Sequence, residues 1–268
     1  MTSARTIAIR ALALALASIA CLPGCRKNDR RVLSVVGSTS IQPFAEMLAE
    51  EYNGRQDELD VEVQGGGSTF GIRAVTDGIA QVGMCSRSLK PEEQFTAISI
   101  ARDGIAVVVH PTNTVDGLQL AHIRALFSGQ VANWRQLGGP DRPVRLITRE
   151  EGSGTREAFV KLVMGKERIS RQALTQESNG AVRELVQHDP AAIGYMSLGL
   201  VGQGLKSLKV EGAQPTSQNV INGSYPLVRP FLFVVKGQPT ADARKFIDFV
   251  LSGEAQGMLE REGLVRAK

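Results

Sequence analysis

The chain has 268 residues, 43% apolar and 22% charged, with a formal net charge of +4. That composition fits one or two soluble globular domains with a real core. Aromatics make up only 5% and no basic stripe is present, so nothing marks the chain as a nucleic-acid binder.

At the N-terminus, Arg5 and Arg10 precede an apolar run over residues 11–22, shorter than the about 20 residues a membrane-spanning helix needs. The ending "LPGC" (residues 22–25) resembles a bacterial lipobox, with Pro23 an unusual member. Residues 1–24 are therefore expected to be a lipoprotein signal peptide, with lipidation of Cys25. An ordinary secretory peptide is the plainer alternative. Losing Arg5 and Arg10 takes the net charge from +4 to +2. Cys21 leaves with the signal, so Cys85 remains as a free thiol, no disulfide framework is expected, and Cys85 reads as a small packed residue.

Beyond the signal, residues 32–36 predict a strand that runs into "GSTSIQPF" (37–44). Phe44, Met47, Leu48 and Tyr52 then keep helical spacing, with Pro43 suited to the first turn. "LDVEVQ" (59–64) alternates as a strand and enters "GGGSTFGIRAV" (65–75), whose second part predicts a short helix. "QVGMCS" (81–86) reads as a buried strand ending at Ser86 and Arg87. An apolar strand at 104–111 is followed by a helix, a turn and a short helix around Trp134, a packing residue. The strand "PVRLITRE" (143–150) leads into "GSGT" (152–155) and a helix through 164. A helix at 179–190, a strand at 191–197, an extended segment at 225–235 broken by prolines, and a helical C-terminal region complete the pattern. Strands alternate with helices, so the class is α/β.

Three times a Gly/Ser/Thr cluster stands between a strand and a helix. A helix start exposes unbonded N–H groups and partial positive charge, glycine lets a ligand approach the backbone, and hydroxyls add donors. Such a loop suits an oxyanion. For one loop alone, helix capping is the better explanation; three loops point to one shared anion. Arg149, four residues before Ser153, offers a planar fork to phosphate or sulfate. Its structural alternative is a surface salt bridge with Glu150 or Glu151. Arg156 is expected on a solvated helical face. Walker and nucleophile-elbow patterns are absent, and His110, His122 and His188 lack metal spacing. No metal, cofactor or catalytic residue is expected.

"GSTSIQPF", "VQGGGSTFGIRAV", "VGMCSRSLK", "LFSGQVANWRQLGG", "REEGSGTREAF" and "AIGYMSLG" stand in the order seen in substrate-binding proteins of phosphate ABC transporters. The chain resembles this branch of the periplasmic binding protein superfamily over nearly all its mature length. The resemblance implies a two-lobed type II periplasmic binding protein fold, with the ligand cleft between lobes joined by two hinge strands. Lobe 1 is expected at 25–110 plus 226–268 and lobe 2 at 111–225. Carried over by position, Thr39, Ser40, Ser68 and Ser86 would donate from lobe 1, and Arg149, Ser153, Gly154 and Thr155 from lobe 2.

Family members commonly carry an aspartate after the Ser86 position, which accepts the proton of phosphate and repels sulfate. This chain has Arg87 there, as do other members of the family. Arg87 is thus a candidate anion ligand or the partner of a neighbouring acid, and the acceptor that would reject sulfate stays unidentified. The implied role is an extracytoplasmic phosphate receptor, monomeric and lipid-anchored at Cys25, delivering to a membrane permease. The alternatives are a receptor for sulfate or molybdate, a phosphatase, or a signalling role.

Overall fold

A computed structural model describes residues 30–267. The signal peptide expected at 1–24 and the lipidation site Cys25 lie outside the described residues.

Strand β1 (Arg31–Gly37) buries Leu33, Val35 and Val36 and ends in a turn. Helix α1 (Gln42–Asn53) follows, with proline in its first turn and Phe44, Ala45, Leu48 and Ala49 on its buried face. Strand β2 (Leu59–Gly65) feeds helix α2 (Ser68–Thr76), and β3 (Val82–Cys85) is buried throughout. Next come β4 (Thr96–Val109), β5 (Gly117–Leu118), α3 (Leu120–Ser128) and a 3-10 turn at Trp134–Leu137. Strand β6 (Arg145–Arg149) leads to α4 (Gly154–Phe159), which widens into a π-helical turn at Val160–Met164. The chain continues through β7 (Leu174–Gln176), α5 (Asn179–His188), β8 (Ala192–Ser197), β9 (Lys206–Ser207), β10 (Lys209–Val210) and α6 (Ser217–Ile221). It closes with β11 (Val228–Val235), α7 (Ala241–Val250), α8 (Gly253–Arg261) and β12 (Val265–Arg266).

The main sheet runs β2-β1-β3-β11-β4-β8-β6-β7, with β9 and β12 also paired to β4. Strand β4 serves both ends of it. From Thr96 to Gly104 it lies antiparallel to β11, and from Ile105 to Val109 antiparallel to β8. It begins eight residues before the apolar run that marks it in the sequence, because its first half, which mixes polar and apolar residues, is paired along its edge by β11. Strand β11 absorbs Pro230 where a break was expected. The register shifts beside it, at Phe231/Leu232, and a bulge is where a residue without an N–H is tolerated.

Two cores flank the change of partner. The first gathers Leu33, Val35, Phe44, Leu48, Phe231, Phe233 and Phe246. The second gathers Val107, Phe127, Trp134, Phe159, Tyr195, Leu208 and Tyr225. In the second, Phe159 stacks on Tyr195 with ring centroids 3.9 Å apart, so the end of α4 is fixed on β8. Trp134 is buried and its indole donates to the Ala191 carbonyl at 2.9 Å, the packing role expected of it. Cys85 is a buried free thiol that burial pushes up in pKa, which leaves it a packing residue with little thiolate character.

Candidate functional site

The three Gly/Ser/Thr loops meet. Ser40 Oγ, after β1, lies 2.7 Å from Thr155 Oγ1, at the start of α4. Ser38 Oγ donates to Ser86 Oγ at 2.8 Å, and the Ser86 N–H donates to Ser68 Oγ at 3.0 Å. Ser38, Ser40, Ser68, Ser86, Ser153 and Thr155 are each 2% exposed or less. A hydroxyl cluster this dry, drawn from both ends of the sheet, is not a surface loop feature.

Capping explains one of the three loops. Ser153 is the N-cap of α4 and accepts from the Arg156 N–H at 3.3 Å. By contrast, the N-cap positions of α1 and α2 are Ile41 and Gly67, neither with a side-chain cap bond. Gly67 holds φ at 89°, a conformation that other residues adopt only with strain. The hydroxyls of Ser40 and Ser68 are therefore directed across the molecule. Gly154 permits that approach: a Cβ there would lie 2.2 Å from Ser68 Oγ and 2.6 Å from Ser86 Oγ. Gly154→Ala is expected to weaken anion binding at least about fivefold, since overpacking costs roughly 1–3 kcal/mol. Calorimetric titration of the folded variant checks this.

Arg149 is 1% exposed and held on several sides. Its Nε and Nη2 bond the Glu150 carboxylate at 2.9 and 3.0 Å, and they also donate to the Gln176 and Glu177 carbonyls at 3.1 Å each. Nη2 further donates to Thr39 Oγ1 at 2.9 Å, tying β6 to the first loop. The Glu150 pairing weighed from sequence is present, but it is not a surface bridge. It orients a buried guanidinium whose Nη1 has no hydrogen-bond partner. Arg156, expected on a solvated face, instead donates Nη1 to the Arg149 carbonyl at 2.7 Å.

Arg87 is placed apart from the hydroxyls. Its Nη1 and Nη2 each lie 2.7 Å from a Glu93 oxygen, which matches the alternative of pairing with a neighbouring acid. Burial works against ionising Glu93, but the Arg87 hydrogen bonds, the Lys90 N–H and the charges of Arg87 and Lys90 together outweigh it and hold that carboxyl below the usual range. A cavity of about 410 Å³ beside Arg87, bordered also by Lys90, Glu157, Lys161 and Arg229, has none of the clustered hydroxyls in its lining.

Three further residues complete the cluster and were not read as site residues from sequence. Asn179 donates to Ser40 Oγ at 3.0 Å and accepts from the Ser197 N–H at 3.0 Å. Arg229, on β11, donates to Thr155 Oγ1 at 2.7 Å and to the Ser86 carbonyl at 3.3 Å. It also holds Asp103 Oδ2, on β4, at 2.9 and 3.0 Å. Burial pushes the Asp103 carboxyl up, and the Arg229 charge opposes that shift. The Ser197 hydroxyl and the Gly199 N–H also face the Asp103 carboxylate and favour its charged form. The signal in the sequence was the presence of charges inside otherwise apolar strands, "ARDGIAVVV" and "LVRPFLFVV".

The site thus offers clustered hydroxyls, an unengaged guanidinium nitrogen on Arg149 and the Asp103 carboxylate, all buried. It can hold a small tetrahedral anion that accepts most hydrogen bonds and donates one.

Comparison with known proteins agrees. Residues 26–254 match the model of a PBP superfamily domain. Over 231 residues the chain is 30% identical to the phosphate-binding protein PstS of Bacillus subtilis, covering 84% of this chain and 76% of that protein. It is also 30% identical to the PstS of Pseudomonas aeruginosa, covering 87% and 82%. A Clostridium perfringens structure with bound phosphate is 37% identical, with a TM-score of 0.86, and covers 89% of this chain and 100% of its own. An ABC-type phosphate transport receptor from Vibrio cholerae is 35% identical with a TM-score of 0.75, covering 87% and 99%. These matches bear out the two-lobed α/β fold.

Proposed function

We propose, for a chain that belongs to the phosphate-binding proteins of the PBP superfamily, that it captures inorganic phosphate outside the cytoplasmic membrane and hands it to an ABC transporter permease. The observation that carries this reading is the buried junction of Ser40, Ser68, Ser86 and Thr155 with the unpartnered Nη1 of Arg149. Aligned hydroxyls, loop N–H groups and one guanidinium suffice to replace the anion's water.

Thr39, Ser40, Ser68, Ser86, Arg149, Ser153, Gly154 and Thr155 are the proposed phosphate ligands. The lobes follow those expected from the resemblance, but with the crossing six residues before the 110/111 boundary, at Gly104/Ile105 on β4 where its partner changes, and at Val228 on the return. Closure brings the Ser40 and Thr155 loops together. The receptor works as a monomer, anchored by a lipid on Cys25. The family is one of substrate-binding receptors, and no covalent step is assigned to the bound anion.

Asp103 supplies the acceptor that Arg87 does not. A carboxylate oxygen in the cluster accepts the proton of hydrogen phosphate, whereas sulfate at neutral pH has none to donate. An unmatched pair of buried acceptors costs on the order of 1–3 kcal/mol, which favours phosphate over sulfate and molybdate. Titrating phosphate into residues 26–268 tests the reading, with sulfate as competitor. Saturable binding that equimolar sulfate leaves intact is expected; no binding at millimolar phosphate sinks the proposal.

A further inference from the structure

We infer that Glu157 and Arg87 form a latch that holds the two lobes shut and sets how slowly phosphate leaves. The inference rests on the phosphate reading above.

Glu157 lies on α4, four residues beyond Ser153, and its carboxylate takes three partners from the opposite lobe. Arg87 Nε and Lys90 Nζ stand 3.0 and 2.9 Å from Oε2. Thr69 donates its hydroxyl to Oε1 at 3.2 Å. The Arg87 contact is electrostatic, since its Nε–H is not aligned for a hydrogen bond. Glu93, from the same lobe as Arg87, fixes both terminal nitrogens of the guanidinium. The cationic half of the latch is thereby set before the lobes meet, and little side-chain entropy is lost on closing.

The latch and the anion loops share elements. Arg87 follows Ser86 directly, and Glu157 is one helical turn from Ser153 and two residues from Thr155. The movement that brings Thr155 to Ser40 brings Glu157 to Arg87. The Arg87 side chain is 5% exposed and that of Glu157 25%, with the cavity of about 410 Å³ alongside. Salt therefore reaches the pair from one side and screens it in part. Glu157 makes no contact with the clustered hydroxyls. It acts on the anion only through closure, as a positioning residue.

The test is Glu157→Gln in the mature chain, with phosphate release and capture followed by stopped flow. Release is expected to be about tenfold faster, as for loss of a charged contact, with capture changed less than about twofold. The melting temperature of the phosphate-free protein is expected to hold. Added sodium chloride should speed release from the wild type and lose that effect in the variant. Glu157→Asp, which keeps the charge, is expected to recover part of the slow release. A Glu157→Gln chain that releases at the wild-type rate, or loses capture in equal measure, overturns the latch alone. A wild-type chain that binds no phosphate overturns the reading beneath it as well.

Discussion

Arg149→Ala is expected to weaken phosphate binding by about 2–5 kcal/mol, at least about thirtyfold, the range seen when one partner of a buried charged contact is truncated. The magnitude follows from how the guanidinium is held. Nε and Nη2 are engaged by Glu150, two backbone carbonyls and Thr39, so the side chain has nowhere to turn. Nη1 alone is buried without a partner. A buried donor of that kind is costly until something accepts from it, and an oxyanion does so. Binding therefore gains twice, from the new charge-assisted bond and from relief of the orphaned donor. Arg149→Lys is expected to recover little. An ammonium keeps the charge but cannot bond Glu150, Thr39 and the anion from one fixed plane. Calorimetric titration of both variants decides it. Affinity within about threefold of wild type for Arg149→Ala would remove this residue from the site.

Much of this site was legible in the sequence, and the reason is local. A strand end, a glycine and a hydroxyl at a helix start are contiguous, so "GSTS", "GGGST" and "GSGT" declare themselves without any knowledge of the fold. Arg149 was legible for the same reason, as the last residue of a strand feeding such a loop. What local reasoning could not see was pairing across the chain. Asp103 and Arg229 are 126 positions apart and meet only because β4 and β11 lie side by side. Arg87 looked like a ligand because it directly follows Ser86; only the placement of Glu93 and Glu157 shows its guanidinium taken up by two acids. The capping question was likewise decided by geometry. Ser153 caps its helix, whereas Ser40 and Ser68 belong to helices whose caps are other residues. The fold class followed from alternation of strands and helices, but the long reach of β4 did not. Its first half carries Ser99, Arg102 and Asp103 among its apolar residues and gains its strand character from partners distant in sequence.

Asp103→Asn is expected to lower stability by about 3–5 kcal/mol, because it strips a fully buried guanidinium of its counter-charge. Asp103 and Arg229 are each 2% exposed or less, and the pair bridges the neighbouring strands β4 and β11. The same substitution is expected to shift anion preference. Asparagine offers a donor where aspartate offered only acceptors, so sulfate is no longer repelled and should gain about tenfold or more relative to phosphate. Stability and selectivity can be separated by replacing both charges together, as Asp103→Leu with Arg229→Met. A buried ion pair exchanged for apolar side chains of similar size is often neutral for folding. Urea unfolding of the double variant is then expected to return towards wild type. Phosphate affinity is not, because Arg229 also donates to Thr155 and to the Ser86 carbonyl, and those acceptors would lose their donor. If the double variant regains both stability and tight phosphate binding, the pair is a strand clamp and takes no part in recognition. If Asp103→Asn keeps the wild-type preference for phosphate over sulfate, the acceptor role assigned to Asp103 falls, whatever happens to stability.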